Sequence, residues 1–294
     1  MNAGTSTRPP TPADAHPANP FEQAGYRARF DWGPNGLRTL APLAAVVVIV
    51  DVLRFTSAVS VATACGGVVL PYRWADDRGP AYAAERSAIL AGRRERGEWS
   101  LSPAGLATLP AGSRLVLPSP NGSALSFAAR DHGARHVLAG CLRNATATAA
   151  HAVQVAGVTG VIAVIAAGER WRNHTGPVRP AIEDLLGAGA ILDGVARLLD
   201  PTELSPEAAT ARAAFGEARP VIAERVARCG SGVELAERGW YDDLAACSDL
   251  DICDVAAELI DEAFVATSTQ STRRRPDGVI DGSALGSSTT NSVR

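Results

Sequence analysis

Residues 46–57 read "VVVIVDVLRFTS": five β-branched residues in a row, then an aspartate, an arginine and two hydroxyls. β-Branched side chains favour an extended backbone, and an uninterrupted apolar run leaves no face for water. Ala45–Val50 therefore predicts a strand buried on both sides. A carboxylate where such a strand ends is costly to desolvate unless a cation compensates it. Asp51 and Arg54 mark either an i, i+3 ion pair with Asp51 capping the next helix, or the rim of a site.

Working outward, apolar runs recur at Val68–Tyr72, Leu115–Leu117, His136–Ala139 and Val161–Ala166. Helix-like segments follow at about Thr56–Cys65, Pro80–Arg96, Ser123–Arg130, Asn144–Ala156 and Pro180–Leu199. Strands alternating with helices require crossovers, so the expected fold is α/β, a mostly parallel or mixed sheet with helices on both faces. Residues 201–228 read as helical, and 231–259 are less legible. The polar stretches rich in Pro, Ser, Thr and Gly at each end read as disordered tails, 1–26 and 266–294, around one domain over 27–265. The arginine run 273–275 reads as a solvated tail.

Composition narrows the function. With 46% hydrophobic and 20% charged residues and a formal net charge of −3, the chain offers no basic face for nucleic acid. It contains no lysine, which excludes Schiff-base lysines and a Walker-type phosphate loop. Its 5 cysteines form no CxxC pair and no zinc spacing, and the polar, proline-rich start is not an apolar signal segment. A cytoplasmic location follows as the expectation. No apolar stretch reaches the ~18 residues of a membrane span without interruption.

In an open parallel sheet, ligands bind beyond the carboxyl ends of the strands. Past the first run come Asp51, Arg54, Thr56 and Ser57. Past the third comes "PSPNGSALS", with Ser119, Asn121, Gly122 and Ser123. Past the fourth comes "CLRNATA", with Arg143, Asn144 and Thr146. Past the fifth come Glu169 and Arg170, then Glu183 and Asp184. All four lie at one edge of the expected sheet. Arginines and helix N-termini suit an anion, and carboxylates suit a hard cation: a phosphate-plus-magnesium inventory.

Each has a plainer reading. Asn121-Gly122 is a turn signal, Asn144 suits a helix cap, and Glu183 and Asp184 suit the first turn of a helix. Gly187 lies one turn beyond Glu183, where a missing side chain lets a strand or ligand approach. Close helix packing explains Gly189 equally well. The charge run Arg93–Glu98 reads as a solvated helix end, and His174 is the one histidine placed near the site.

At these residues the chain resembles the 2-phosphosulfolactate phosphatase family. "VVVIVDVLRFTSAV", "LPSPNGSAL", "GCLRNATATA", "AAGERW…RPAIEDLLGAGAILD" and "SGVELAERGWYDDLAACSDLDICDV" stand in the family's order, over about residues 27–265. The resemblance implies a three-layer α/β/α fold and a magnesium-dependent phosphatase acting on a phosphorylated sulfo-acid. Its product, sulfolactate, lies in some organisms on the route to coenzyme M. Asp51, Arg54, Asn121, Gly122, Asn144, Glu169, Glu183, Asp184 and Gly187 fall on family motifs. The segment "AGRRERGEWSLSPAGL" (91–106) departs from the family, and only Ser102-Pro103 clearly matches it.

Chemistry assigns roles to these residues. Mg²⁺ is expected on Asp51, with Glu169 and Glu183 or Asp184 helping. Arg54 and Arg143 clamp phosphate or sulfonate oxygens, and Asn121, Asn144 and backbone N–H groups at Thr56 and Gly122–Ser123 add neutral donors. Asp51, Arg54 and Glu169 form the expected catalytic set. Phosphatases that use an aspartyl-phosphate carry D-x-D, and here Leu53 replaces the second acid, so attack by metal-activated water is preferred. The expected partner is a short phosphorylated acid, with no nucleic acid or membrane, and a homo-oligomer is left open. Two rivals remain: a Rossmann-like nucleotide enzyme, which lacks its GxGxxG here, and a non-catalytic small-anion-binding protein.

Overall fold

Val46–Val50 forms strand β2 and is buried at every position. In the computed structural model, which describes residues 19–267 except 74–76, 97–98 and 172–175 and leaves out the side chain of Glu95, β2 sits between two parallel neighbours. These are β6 (His136–Gly140) and β7 (Ile162–Ala166), with Val46 opposite His136 and Ile162. The expectations for residues 1–18 and 268–294, including the arginine run, and for Glu98 and His174 lie outside the described residues.

Alternation along β2 divides the core. Val46, Val48 and Val50 pack with α6 (Ala145–Ala156), α7 (Ile182–Leu198) and α8 (Pro206–Ala218). Val47 and Ile49 pack with α1 (Gly33–Leu40), α2 (Phe55–Ala64) and α5 (Gly122–Asp131). The fold is thus three layers, helices on both faces of a sheet. Gly187 and Gly189 serve different contacts in α7. A Cβ on Gly187 would meet Val52 Cγ2 at 2.6 Å, and one on Gly189 the carbonyl of Ala211 in α8 at 2.2 Å. The first glycine admits the end of β2, the second a helix.

Among the described residues the sheet has nine strands, and five of its eight adjacent pairs are parallel. One block runs β1 (Ala28–Trp32), β7, β2, β6; the other runs β3 (Val68–Tyr72), β5 (Arg114–Pro118), β4 (Ile89–Leu90). Between them lies the hairpin β10 (Ala256–Ile260) and β11 (Ala263–Thr267), antiparallel internally and to both neighbours. Three reversals separate the blocks, so β3–β5–β4 runs opposite in sense to β2. The expectation that all four strand ends share one edge fails in a flat sheet. The ends of β2, β5 and β7 meet all the same: Gly122 N–H reaches Asp51 Oδ2 at 2.9 Å, and Asn121 Nδ2 reaches Glu169 Oε1 at 3.2 Å. The twist and coil of a long mixed sheet permit that approach.

Two boundaries shift. Residues 19–26, read as tail, contain a 3-10 turn at Pro20–Glu22, and the amide of Gln23 exchanges hydrogen bonds with the backbone of Phe30. The helix expected over Pro80–Arg96 is only α3 (Gly79–Glu85). Ser87 enters the left-handed region (φ 49°), the chain turns into edge strand β4, and a 3-10 turn follows at Arg94–Arg96. Among the described residues no helix is long and apolar enough to cross a membrane.

Candidate active site

Asp51 follows β2 directly and is buried, 7% exposed. Its backbone carbonyl accepts Thr56 N–H at 2.9 Å, and its Oδ1 accepts Phe55 N–H at 3.3 Å, so it does help to cap α2. Its Oδ2 accepts Gly122 N–H at 2.9 Å from the start of α5. Gly122 has to be glycine: a Cβ there would stand 2.2 Å from the Phe55 ring and 2.8 Å from Asp51 Oδ2. Burial pushes the Asp51 carboxyl up to about 7, the charges of Glu169 and Glu183 adding to it, while the Phe55 and Gly122 N–H groups oppose the shift.

The ion pair with Arg54 does not form. Arg54 Nη1 donates instead to Asp243 Oδ2 at 2.6 Å, and its guanidinium lies 4.2 Å from the centre of the Trp240 ring. Asp243, fully buried in α11 (Tyr241–Ser248), is a hub: its Oδ2 also accepts Arg94 Nη1 at 2.6 Å, and its Oδ1 accepts Ser102 Oγ at 2.5 Å and Ala104 N–H at 3.2 Å. Arg94 is therefore no solvated helix end, since it also binds both oxygens of Asp242. Ser102 caps α4 (Pro103–Leu106), so the divergent 91–106 segment is fastened to this hub.

A cleft of about 140 Å³ collects Asp51, Arg54, Ser119, Asn121 and Glu169. Asn121 Nδ2 donates to Glu169 Oε1 at 3.2 Å. The cleft is also lined by Ser231, Glu234, Leu235 and Arg238, from α10 (Gly230–Glu237) and the turn after it.

The remaining expected residues are held elsewhere. Thr56 Oγ1 donates to Asp51 O at 2.8 Å, and Ser123 Oγ donates to Leu117 O at 3.1 Å, both buried. Arg143 Nη1 donates to Ala246 O at 2.6 Å near the end of α11 and pairs with Asp249 at 3.2 Å. Asn144 Oδ1 accepts Cys141 N–H at 3.0 Å and is wholly buried, a local turn lock. None of the four lines the cleft.

Four carboxylates were expected around a metal. Asp184 accepts Val52 N–H at 2.8 Å on one oxygen and Gly168 N–H at 2.9 Å on the other, strapping the end of β2 to that of β7. Burial, with Glu183 and Asp51 adding, holds it well above the usual carboxylate range. Glu183 is also buried and accepts the Cys229 thiol at 3.2 Å, whose own pKa burial pushes up to about 12, with Glu183 reinforcing it. Neither lines the cleft. Among the described residues no group of three or more His, Cys, Asp or Glu is arranged to hold a metal ion. Magnesium asks for less, since it keeps several waters and accepts one or two carboxylates. Asp51 and Glu169 fit that requirement: both line the cleft, and Glu169 raises the pKa of Asp51 by a repulsion that a divalent ion would relieve.

Arg238, Trp240 and Asp243 escaped the sequence reading, although the block that holds them stands in the family's order. Nothing local distinguishes an arginine at a helix end, and it is the turn between α10 and α11 that carries it to the cleft. No curated protein matches the chain. Residues 35–262, which include every cleft residue named above, match the model of 2-phosphosulpholactate phosphatase, so this chain belongs to that family of phosphatase-type hydrolases.

Proposed function

We propose that the protein is a magnesium-dependent phosphatase of the cytoplasm that hydrolyses a short phosphorylated sulfo- or carboxylic acid, 2-phosphosulfolactate foremost. One observation carries this reading: Asp51 and Glu169 share a single small cleft with Arg54 and Asn121, carboxylates and a cation facing one space. A cleft of about 140 Å³ lies below the roughly 300–1,000 Å³ of pockets for drug-sized ligands, which favours a small ester over a nucleotide.

Asp51 and Glu169 would hold the ion. Bound there, magnesium supplies a charge that neutralises phosphoryl oxygens and makes water more acidic. The protein's own contribution is position and field. N–H groups of Phe55 and Gly122 fix both Asp51 oxygens, so its orientation does not depend on the ligand. Asn121 holds Glu169 from the other side. Arg54, locked by Asp243, presents its remaining N–H donors to the phosphate. Leu53 stands where a second aspartate would assist an aspartyl nucleophile, which favours direct attack by water.

Free phosphate released from a panel of small phosphomonoesters, with and without magnesium, tests the reading. Magnesium-dependent release from three-carbon phosphoacids, faster than from AMP or ATP, is the expected result. No release from any ester would favour a non-catalytic anion-binding protein instead.

A further inference from the structure

The phosphatase reading leaves the substrate's acid groups beyond the phosphate unaccounted for. Arg143, expected with Arg54 to clamp phosphate or sulfonate oxygens, is bonded to Ala246 O and Asp249 and does not line the cleft. Arg94 is occupied by Asp242, Asp243 and Ser102, and it too lies outside the cleft lining. Arg54 sits three residues from Asp51 and is fixed to Asp243, which suits it to the phosphate.

Among the described residues Arg238 is the other cation that lines the cleft. It follows α10, and its guanidinium lies 5.3 Å from the centre of the same Trp240 ring that Arg54 approaches to 4.2 Å. Among the described residues its guanidinium makes no hydrogen bond or ion pair; Glu234, one turn earlier, lines the cleft without pairing to it. A guanidinium steadied on an aromatic face keeps all its donors free and loses little freedom when an anion arrives.

Resting on the phosphatase reading, we propose that Arg238, oriented by Trp240, binds the second anionic group, sulfonate or carboxylate, of the substrate while Arg54 binds its phosphate. Arg238 is then the specificity-determining residue, and the 91–106 segment, in which this chain departs from the family, is not required for that contact.

The experiment compares wild type with Arg238→Met and Arg238→Lys on two esters, 2-phospholactate and isopropyl phosphate, which lacks the second acid. Arg238→Met should raise KM for phospholactate about tenfold or more and shift that for isopropyl phosphate by less than about threefold. Arg238→Lys should recover part of the loss, since it keeps the charge without the planar fork. Equal losses on both esters, or none on either, would overturn the proposal. Calorimetric titration of sulfolactate into wild type and Arg238→Met gives a readout independent of turnover. Should wild type release no phosphate at all, the phosphatase reading falls, while weaker sulfolactate binding in Arg238→Met would still uphold the role of Arg238. Equal sulfolactate affinity in both proteins, or no binding to either, would overturn that role.

Discussion

One wall of the cleft carries Asp51 and Glu169 just past β2 and β7; the other carries Arg54 and Arg238 beside Trp240. The carboxylate wall crowds like charges. Asp51 feels Glu169 and Glu183, Asp184 feels Glu183 and Asp51, and backbone N–H groups offer them only partial relief. The cationic wall is organised around an opposite charge, the buried Asp243 beneath Arg54 and Arg94. One side is thus held in tension that a ligand can release, and the other is rigid before any ligand arrives. Removing a charge should therefore relax the first wall and collapse the second.

The largest effect is expected at Asp51. Asp51→Asn should lower magnesium-dependent kcat by roughly a thousandfold, about 4 kcal/mol of transition-state stabilisation. Its stability should move the other way. The folded carboxyl has a value near 7 against an ordinary 3.8, so the metal-free wild type loses stability as pH rises from the lower value through the higher. With chelator present, the melting temperature of Asp51→Asn should gain on wild type as pH rises from the lower limit to the upper one, from a deficit set by the one N–H its amide cannot accept. A difference that stays constant across that pH range would mean that Asp51 is a structural group.

Asp243→Ala should act on the cationic wall with the opposite sign. It leaves two guanidiniums facing a vacated interior and should cost about 3 kcal/mol of folding stability, the low end for a broken buried pair because Arg94 keeps 27% of its side-chain surface. Urea denaturation reads this. A loss below about 0.5 kcal/mol would erase the contrast between the walls.

Gly122→Ala probes the seam. Phe55 is wholly buried and cannot swing away from a methyl group placed 2.2 Å from its ring, so a cost of about 1–3 kcal/mol is expected, with a loss of turnover as Asp51 is displaced. The smallest effect is expected at Arg143. Arg143→Met should cost about 1 kcal/mol through its bond to Ala246 O and leave KM within about twofold. A tenfold rise in KM would return Arg143 to the site and break the assignment of Arg238.

The same contrast explains what could be read in advance. β2, β3, β5, β6 and β7 are continuous apolar runs, and the residues just past them bring Asp51, Asn121 and Glu169 into the cleft. β1 and β10 were not legible because each carries charge in mid-strand. Arg29 of β1 donates to the carbonyls of Glu22 and Tyr26. Glu258 of β10 is clasped by His136 and His151, both at 2.7 Å; burial pushes it up, but the two histidines outweigh that and leave it below its ordinary value. The partners of Glu258 lie far along the chain, and those of Arg29 lie in a stretch read as tail. The cationic wall was hidden for a related reason: Arg238 follows one short helix and Asp243 lies on the next, and their place is set by packing, not by periodicity.

The hairpin of residues 256–267 has a further consequence, in the order of folding. Without β10 and β11, no hydrogen bond of the sheet among the described residues joins the block that carries Asp51 to the block that leads into Gly122. Until residue 267 has been synthesised, each block ends in a bare edge, at β6 and at β3, able to pair with another chain. Closure then requires contacts between residues nearly two hundred positions apart, such as Phe264 with Val69, which makes the final step slow and prone to capture by neighbouring molecules. The nascent protein is most vulnerable to aggregation just before its sheet is complete.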